Sequence, residues 1–358
     1  MIRSLLSADY PRSRLVAAIL LAIVLALALA PFLFPGARSL AVAAKILVFV
    51  LLVASYDLLL GYTGIVSFAH TMFFGIGAYG VAIASTRMGP GWDAVALGVA
   101  AALVLSALLA LVIGLFSLRV KAIFFAMITL AVAAAFQTLA SQLSEFTGGE
   151  DGLTFKLPEL LQPSFELFED TVFGVSIDGR LLSYYLLFFA VLVLFLVLLR
   201  IVNSPFGRVL QAIRENDFRA EALGYRTVVF RTLSTVLAAM FATAAGALLA
   251  IWLRYNGPDT TLSFEIMLDT LLIVVIGGMG TMYGAVIGSA LFVFAQSYLQ
   301  DLMGWISAGL EGVPLVAALF SPDRWLLWLG VLFVLSVYYF PAGVVGRLRA
   351  RALAGRRP

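Results

Sequence analysis

The chain has 358 residues, a formal net charge of +3 and a mean hydropathy of +1.06, with 63% hydrophobic against 12% charged residues; this balance excludes a soluble globular domain and points to a polytopic membrane protein. It contains no cysteine and one histidine, His70, which excludes disulfides, thiolate metal sites and all-histidine metal sites within the chain. None of its lysines (Lys45, Lys121, Lys156) follows a glycine, so the GxxxxGK[ST] phosphate loop is absent and any ATP that drives this protein is hydrolysed by another chain.

Apolar length and interruption predict ten membrane-spanning helices in one transmembrane domain over 1–358, an all-α fold. The first, at 15–34, follows Arg3, Arg12 and Arg14 and ends in ALALAPF, which also fits a cleavable leader. Its length and Pro31 directly after the candidate cleavage site favour its retention as a span; its loss would leave nine. The next spans are expected at 39–60, 64–86, 94–117 and 122–143, followed by an acidic loop at 145–182 and a span at 183–202. Residues 203–231 then form a charged island, GRVLQAIRENDFRAEALGYRTVVFR from Gly207 on, whose apolar and charged residues alternate at helical spacing. Asn203 and Ser204 before Pro205 supply a turn into it, and Gly207 and Gly224 are expected to break its helices. Further spans follow at 232–253, 265–281, 284–300 and 324–341, ahead of a basic tail at 342–358. The 265–300 stretch reads equally as two short spans or as a pair of half-helices entering and leaving one face, because IVVIGGMGTMYGAVIGSAL is broken only by glycines.

Basic residues set the orientation, since positively charged loops stay cytoplasmic. The segments before residue 15, at 119–121, at 200–231 and after 346 hold 16 basic and 4 acidic residues, and the opposite loops hold 6 basic and 15 acidic. The island and both termini are therefore expected in the cytoplasm and the 145–182 loop outside.

Ionisable residues within the spans are few. Lys45, near the outer end of the second span, is expected to snorkel to the interface. Asp57 lies near the inner end of the same helix, and the two cannot pair along it because they are about 18 Å apart. His70 is expected to be a neutral side chain hydrogen-bonded to a neighbouring helix. Coupling to an ion gradient therefore has little support. Glycine is more informative. Broken, glycine-rich helices are tolerated at membrane depth where they meet protein or a wet cavity, and they recur in both halves of this chain. Gly64, Ser67, His70, Phe74 and Gly75 of the third span, with Gly277, Gly278 and Gly280, are the candidate lining of a transport path.

Six stretches in order, GYTGIVSFAHTMFFGIGAY, LRVKAIFFAMITLA, FTGGEDGL, GRVLQAIRENDFRAEALGY, IGGMGTMYGAVIG and YYFPAG, resemble the branched-chain amino acid permeases of LivM type, within the ATP-binding-cassette (ABC) importers. The resemblance runs from residue 61 to residue 343 and implies a type II ABC importer-like permease in the bacterial inner membrane. It implies a second permease subunit, two ABC ATPases that carry the ATP and magnesium, and an external solute-binding protein. No cofactor of this chain and no nucleic acid partner is implied; the remaining partner is the lipid bilayer. It also implies that Gly207, Arg208, Ala212, Ile213, Arg214, Glu215, Asn216, Asp217, Glu221, Ala222, Leu223 and Gly224 form the ATPase-coupling loop. Val209, Leu210, Ile213 and Leu223 are expected to fill a groove of an ATPase while the charges fix register. Contact with anionic lipid is the competing account of the island's arginines, but Glu215, Asp217 and Glu221 would be repelled by such a surface. On substrate, urea and short amides remain alternatives to branched-chain amino acids, and an ion-coupled carrier or a channel remains as a different class.

Overall fold

The computed structural model describes residues 14–34, 36–116, 122–166, 176–309, 319–339 and 343–346. The segment before Arg14, the 117–121 loop and all but 343–346 of the basic tail, which weighed in the orientation argument, lie outside the described residues.

With no water in a bilayer core, helices are the local solution for an apolar chain, because each satisfies its own backbone polar groups. The principal helices are α1 (Arg14–Ala28), α2 (Ala37–Asp57), α3 (His70–Met88), α4 (Trp92–Phe116), α5 (Ala122–Gln142), α6 (Gly179–Val202), α7 (Pro205–Glu215), α8 (Asp217–Ala222), α9 (Thr227–Leu253), α10 (Phe264–Gly277), α11 (Met282–Gly309) and α12 (Trp325–Tyr339). Each predicted span overlaps one principal helix, yet among the described residues seven helices are long and apolar enough to cross a membrane. Helix α10 reaches that length together with the turn of helix before it, as Pro258–Gly277, whereas the 15 described residues of α1 and of α12 are too few by themselves, and α3 is diluted by its glycines, hydroxyls and Arg87.

Three helices form the interior. Helix α2 is buried on nearly every side, with α9 and α11 packed against it, and α3 packs on α9 and α4. Between α3, α4 and α9 contact is made by small residues, as expected where lipid supplies no hydrophobic drive for association. The buried positions of α4 include Ala94, Gly98, Ala102, Ser106, Ala110 and Gly114, one every four residues. Thr243 of α9 donates a hydrogen bond to Ser106 across this seam at 2.6 Å. At Gly77 and Gly246 the backbones of α3 and α9 come so close that a Cβ on either would strike the other helix's carbonyl, of Thr243 and Phe74 respectively.

The third predicted span does not begin as a helix. Helix α2 widens into a π-helix at Leu58–Thr63, which Gly64 ends in a left-handed conformation (φ 75°), and residues 65–69 are irregular until α3 starts at His70. The Ser55 hydroxyl is hydrogen-bonded to His70 Nε2 at 2.8 Å, so α3 starts level with a residue roughly 12 Å back up α2 from Thr63. Irregular backbone therefore lies at membrane depth, where it is tolerated because protein covers it. Ser67 and Ala69 are buried, and the Phe68 amide donates to Thr129 of α5 at 3.0 Å.

Helix α11, at 28 residues, is roughly 42 Å long and exceeds the bilayer core, so it is a through-going helix and not a half-helix. It is joined to α10 by a tight turn at residues 278–281, closed by Thr281 Oγ1 donating to the Gly278 carbonyl at 2.6 Å. At the end of the bundle remote from the island, Leu153–Thr154 pairs antiparallel with Tyr255–Asn256. This pins the acidic loop, whose Phe155, Leu157 and Leu161 are buried in a cluster with residues of α3, α4 and α9.

Candidate functional site

The charged island folds into the helix pair α7–α8 through local caps. Ser204 accepts from the Gly207 amide at 3.5 Å with Pro205 at the first helical position, and Asn216 accepts from the Arg219 amide at 2.9 Å between the two helices. Gly224, with φ 89°, ends α8 as expected. Gly207 is no break. It lies in the first turn of α7, pressed against the Val202 carbonyl. The unit is fastened to α9 by an ion pair from Arg231 to Asp217 at 3.0 Å, by Thr227 donating to Glu221 at 2.7 Å, and by stacking of Phe206 on Phe230.

The apolar residues expected to enter a partner divide between the two faces. Leu210 and Ile213 are 0% and 1% exposed, so they anchor the island to this chain's own core and are closed to a partner; Val209 is half-buried. Leu223 is 71% exposed and Phe218 83% exposed, which makes Phe218 the residue that sequence reasoning missed. Its signal was an aromatic side chain set between Asp217 and Arg219 on the polar helix. Arg208, Ala212, Glu215, Asn216, Glu221, Ala222 and Gly224 are exposed beside them.

Arg214 reaches the other way. Its Nη1 donates to the Gly61 carbonyl inside the π-helix, and its side chain runs beside Gly64. Asp57, 2% exposed, accepts from the Gly280 amide at 2.8 Å through Oδ1, placing a carboxylate at the N-terminal and positive end of α11. Gly61 and Gly280 have no room for side chains, since a Cβ on Gly61 would meet the Asp57 carboxylate and the Gly280 amide. One small junction thus joins the island, the broken end of α2 and the α10–α11 turn. A π-bulge, a buried carboxylate and an anchored arginine in contact are features that accumulate at functional sites.

The candidate path residues are spread over several contacts. Gly64 and Gly280 meet at the Arg214 junction, whereas Ser67 and His70 lie back along α2, with His70 hydrogen-bonded to Ser55 as the sequence suggested. Phe74 is held against α9, Gly75 against Leu262, Gly277 against Gly284 and Gly278 against Gly343. Two grooves of about 430 and 490 Å³ lie elsewhere: one between α1, α2, α6 and α11, the other between α3, α4 and α5, both almost wholly apolar.

Residues 38–337 match the family described as branched-chain amino acid transport system, permease component. The chain belongs to that family. It is similar to the high-affinity branched-chain amino acid transport system permease protein LivM of Salmonella typhimurium, 26% identical over 299 residues that cover 80% of this chain and 69% of that protein. LivM of Escherichia coli is 25% identical over 296 residues, covering 79% of this chain and 68% of the relative. A probable LivM of Methanocaldococcus jannaschii is 26% identical over 250 residues, covering 68% and 67%. No solved structure matches the chain. The permease is a multi-pass membrane protein, and the matched range takes in the whole junction of Asp57, Gly61, Arg214 and Gly280.

Proposed function

We propose that this permease is the membrane-spanning subunit of an ATP-driven importer of branched-chain amino acids in the bacterial inner membrane. The island faces the cytoplasm, the acidic 145–182 loop faces outward, and ten spans leave both termini inside; the excess of basic residues on the island side supports that orientation. The partners are a second permease subunit, two ABC ATPases and an external binding protein. ATP and magnesium act on the ATPases, and closure of those subunits moves α7–α8 and opens the path alternately to the two sides.

The observation that carries this reading is the two-faced island. Its outer face offers Phe218 and Leu223 to a groove, with exposed charge around them, while Arg214 ties its inner face to both broken segments of the bundle. A helix pair built to take a push from one side and deliver it to the other needs both contacts. Affinity purification after co-expression with the ATPase subunits tests it. Burial of each side chain is worth roughly 1.5–3 kcal/mol, so Phe218→Ala with Leu223→Ala is expected to weaken ATPase retention by at least about tenfold while the permease itself melts as before. Retention equal to the unmodified chain would overturn the docking assignment.

A further inference from the structure

Lys45 does not snorkel. Its Nζ donates to Oε1 of Gln296 on α11 at 2.8 Å, and the same amide's Nε2 donates to Oδ2 of Asp269 on α10 at 3.2 Å. The three residues come from three helices and are all half-buried. Gln296 lies roughly 21 Å along α11 from Met282, at the middle of that helix. Glu265, one helical turn from Asp269, adds a second carboxylate to that face, and the ring of Phe49 lies 5.6 Å below the ammonium. Nearer the rim, Arg38 and Asp301 form an exposed ion pair at 2.7 Å.

A tie between helices has no need of full charges, which are costly at this depth and belong where they face protein or a wet cavity. Nor do these charges bond each other directly: each is bonded to Gln296. An amide holds Lys45 and Asp269 apart, presenting an acceptor to the ammonium and a donor to the carboxylate. A zwitterionic α-amino acid presents the same two groups in the same order, with its carboxylate as acceptor and its ammonium as donor. We propose that Lys45 and Asp269 form a site for the α-carboxylate and α-ammonium of an amino acid in transit, which Gln296 fills when the site is empty. Glu265 shares the ammonium, and Leu272, half-buried one turn further in, offers apolar surface to an aliphatic side chain. This deepens the importer reading above and rests on it, since it assigns the chemistry of the cargo to residues of this chain.

The chain's lack of cysteine permits a direct test, because Leu272→Cys introduces its single thiol. The variant, purified with its co-expressed partner subunits in lipid nanodiscs, is labelled with a small maleimide in the presence of leucine, 3-methylbutylamine or 4-methylpentanoate. Leucine at ten times its dissociation constant is expected to slow labelling by about tenfold. The two analogues, each lacking one charged group, are expected to bind at least about tenfold more weakly. Lys45→Gln and Asp269→Asn keep hydrogen-bonding side chains while removing the charges. The first should erase the preference for leucine over the amine, and the second the preference for leucine over the acid. A tie that merely braces three helices would not produce that crossed pattern. ATP-driven leucine uptake with the binding protein is measured in parallel. Uptake without protection, or protection unaffected by both substitutions, overturns the site alone. Absence of branched-chain amino acid uptake overturns the importer reading, and this site with it.

Discussion

Arg214 directs its guanidinium at a backbone carbonyl of a π-helix, and the nearby carboxylate of Asp57 is engaged by a glycine amide. Each charge therefore satisfies a backbone group that a regular helix would have satisfied itself. A hydrogen bond to a charged group contributes roughly 1.5–3 kcal/mol, so Arg214→Ala is expected to free the Gly61 carbonyl and reduce uptake by at least about tenfold. ATP hydrolysis by the assembled complex should persist, and the ratio of ATP consumed to substrate taken up measures the uncoupling. Asp57→Asn retains an acceptor for Gly280 and should be milder than Asp57→Leu. Combining Arg214→Ala with Asp57→Leu should cost less than the sum of the two, because both act on one junction. The sequence marked Arg214 and Asp57 but not the Gly61–Gly280 junction that both bond. Helical spacing gives the period of the island and not which face turns inward, and Gly61 stands 153 residues from its partner. His70 was legible because a lone buried histidine in an apolar span has few options besides a hydroxyl on the next helix.

Among the elements, the seam of α3, α4 and α9 is the most exacting. Its contacts are backbone to backbone at Gly77 and Gly246, so neither helix can yield by a change of rotamer. Gly77→Ala is expected to lower stability by roughly 1–3 kcal/mol, read as a fall in detergent melting temperature. Thr243→Val, which removes the bond to Ser106, should cost only about 0.6 kcal/mol, the usual scale of an interhelical bond in a membrane. Equal effects of the two would mean that the hydroxyl pair and not the close approach holds the seam. Apolar length, which is set by the bilayer, revealed that helices stand at these places. It could not reveal where α3 begins. The residues at 65–69 are mostly apolar, like those that follow, and the break is satisfied by groups the spacing does not show, the Thr129 hydroxyl for the Phe68 amide and the Leu59 carbonyl for the Ile65 amide.

The whole molecule places its charge asymmetrically, and that asymmetry makes a topological prediction. Arg219→Cys on the island should react with a membrane-impermeant thiol reagent only after intact cells are opened, and Glu150→Cys on the acidic loop should react without opening them. The reverse pattern would turn the protein over in the membrane. The acidic loop itself is tied back by the short ribbon at Leu153–Thr154 and Tyr255–Asn256, where the Tyr255 hydroxyl donates to the Asp151 carbonyl across 104 residues of chain. During synthesis the first half of that ribbon is made long before the second. At about 5–20 residues per second it waits roughly 5–20 seconds, with Phe155, Leu157 and Leu161 lacking their α9 neighbours, until α9 has been inserted and Tyr255 has emerged. Closing the clasp encloses the island-bearing half in a loop pinned at its base, so a nascent chain that stalls before residue 254 leaves that apolar cluster open to quality-control proteases.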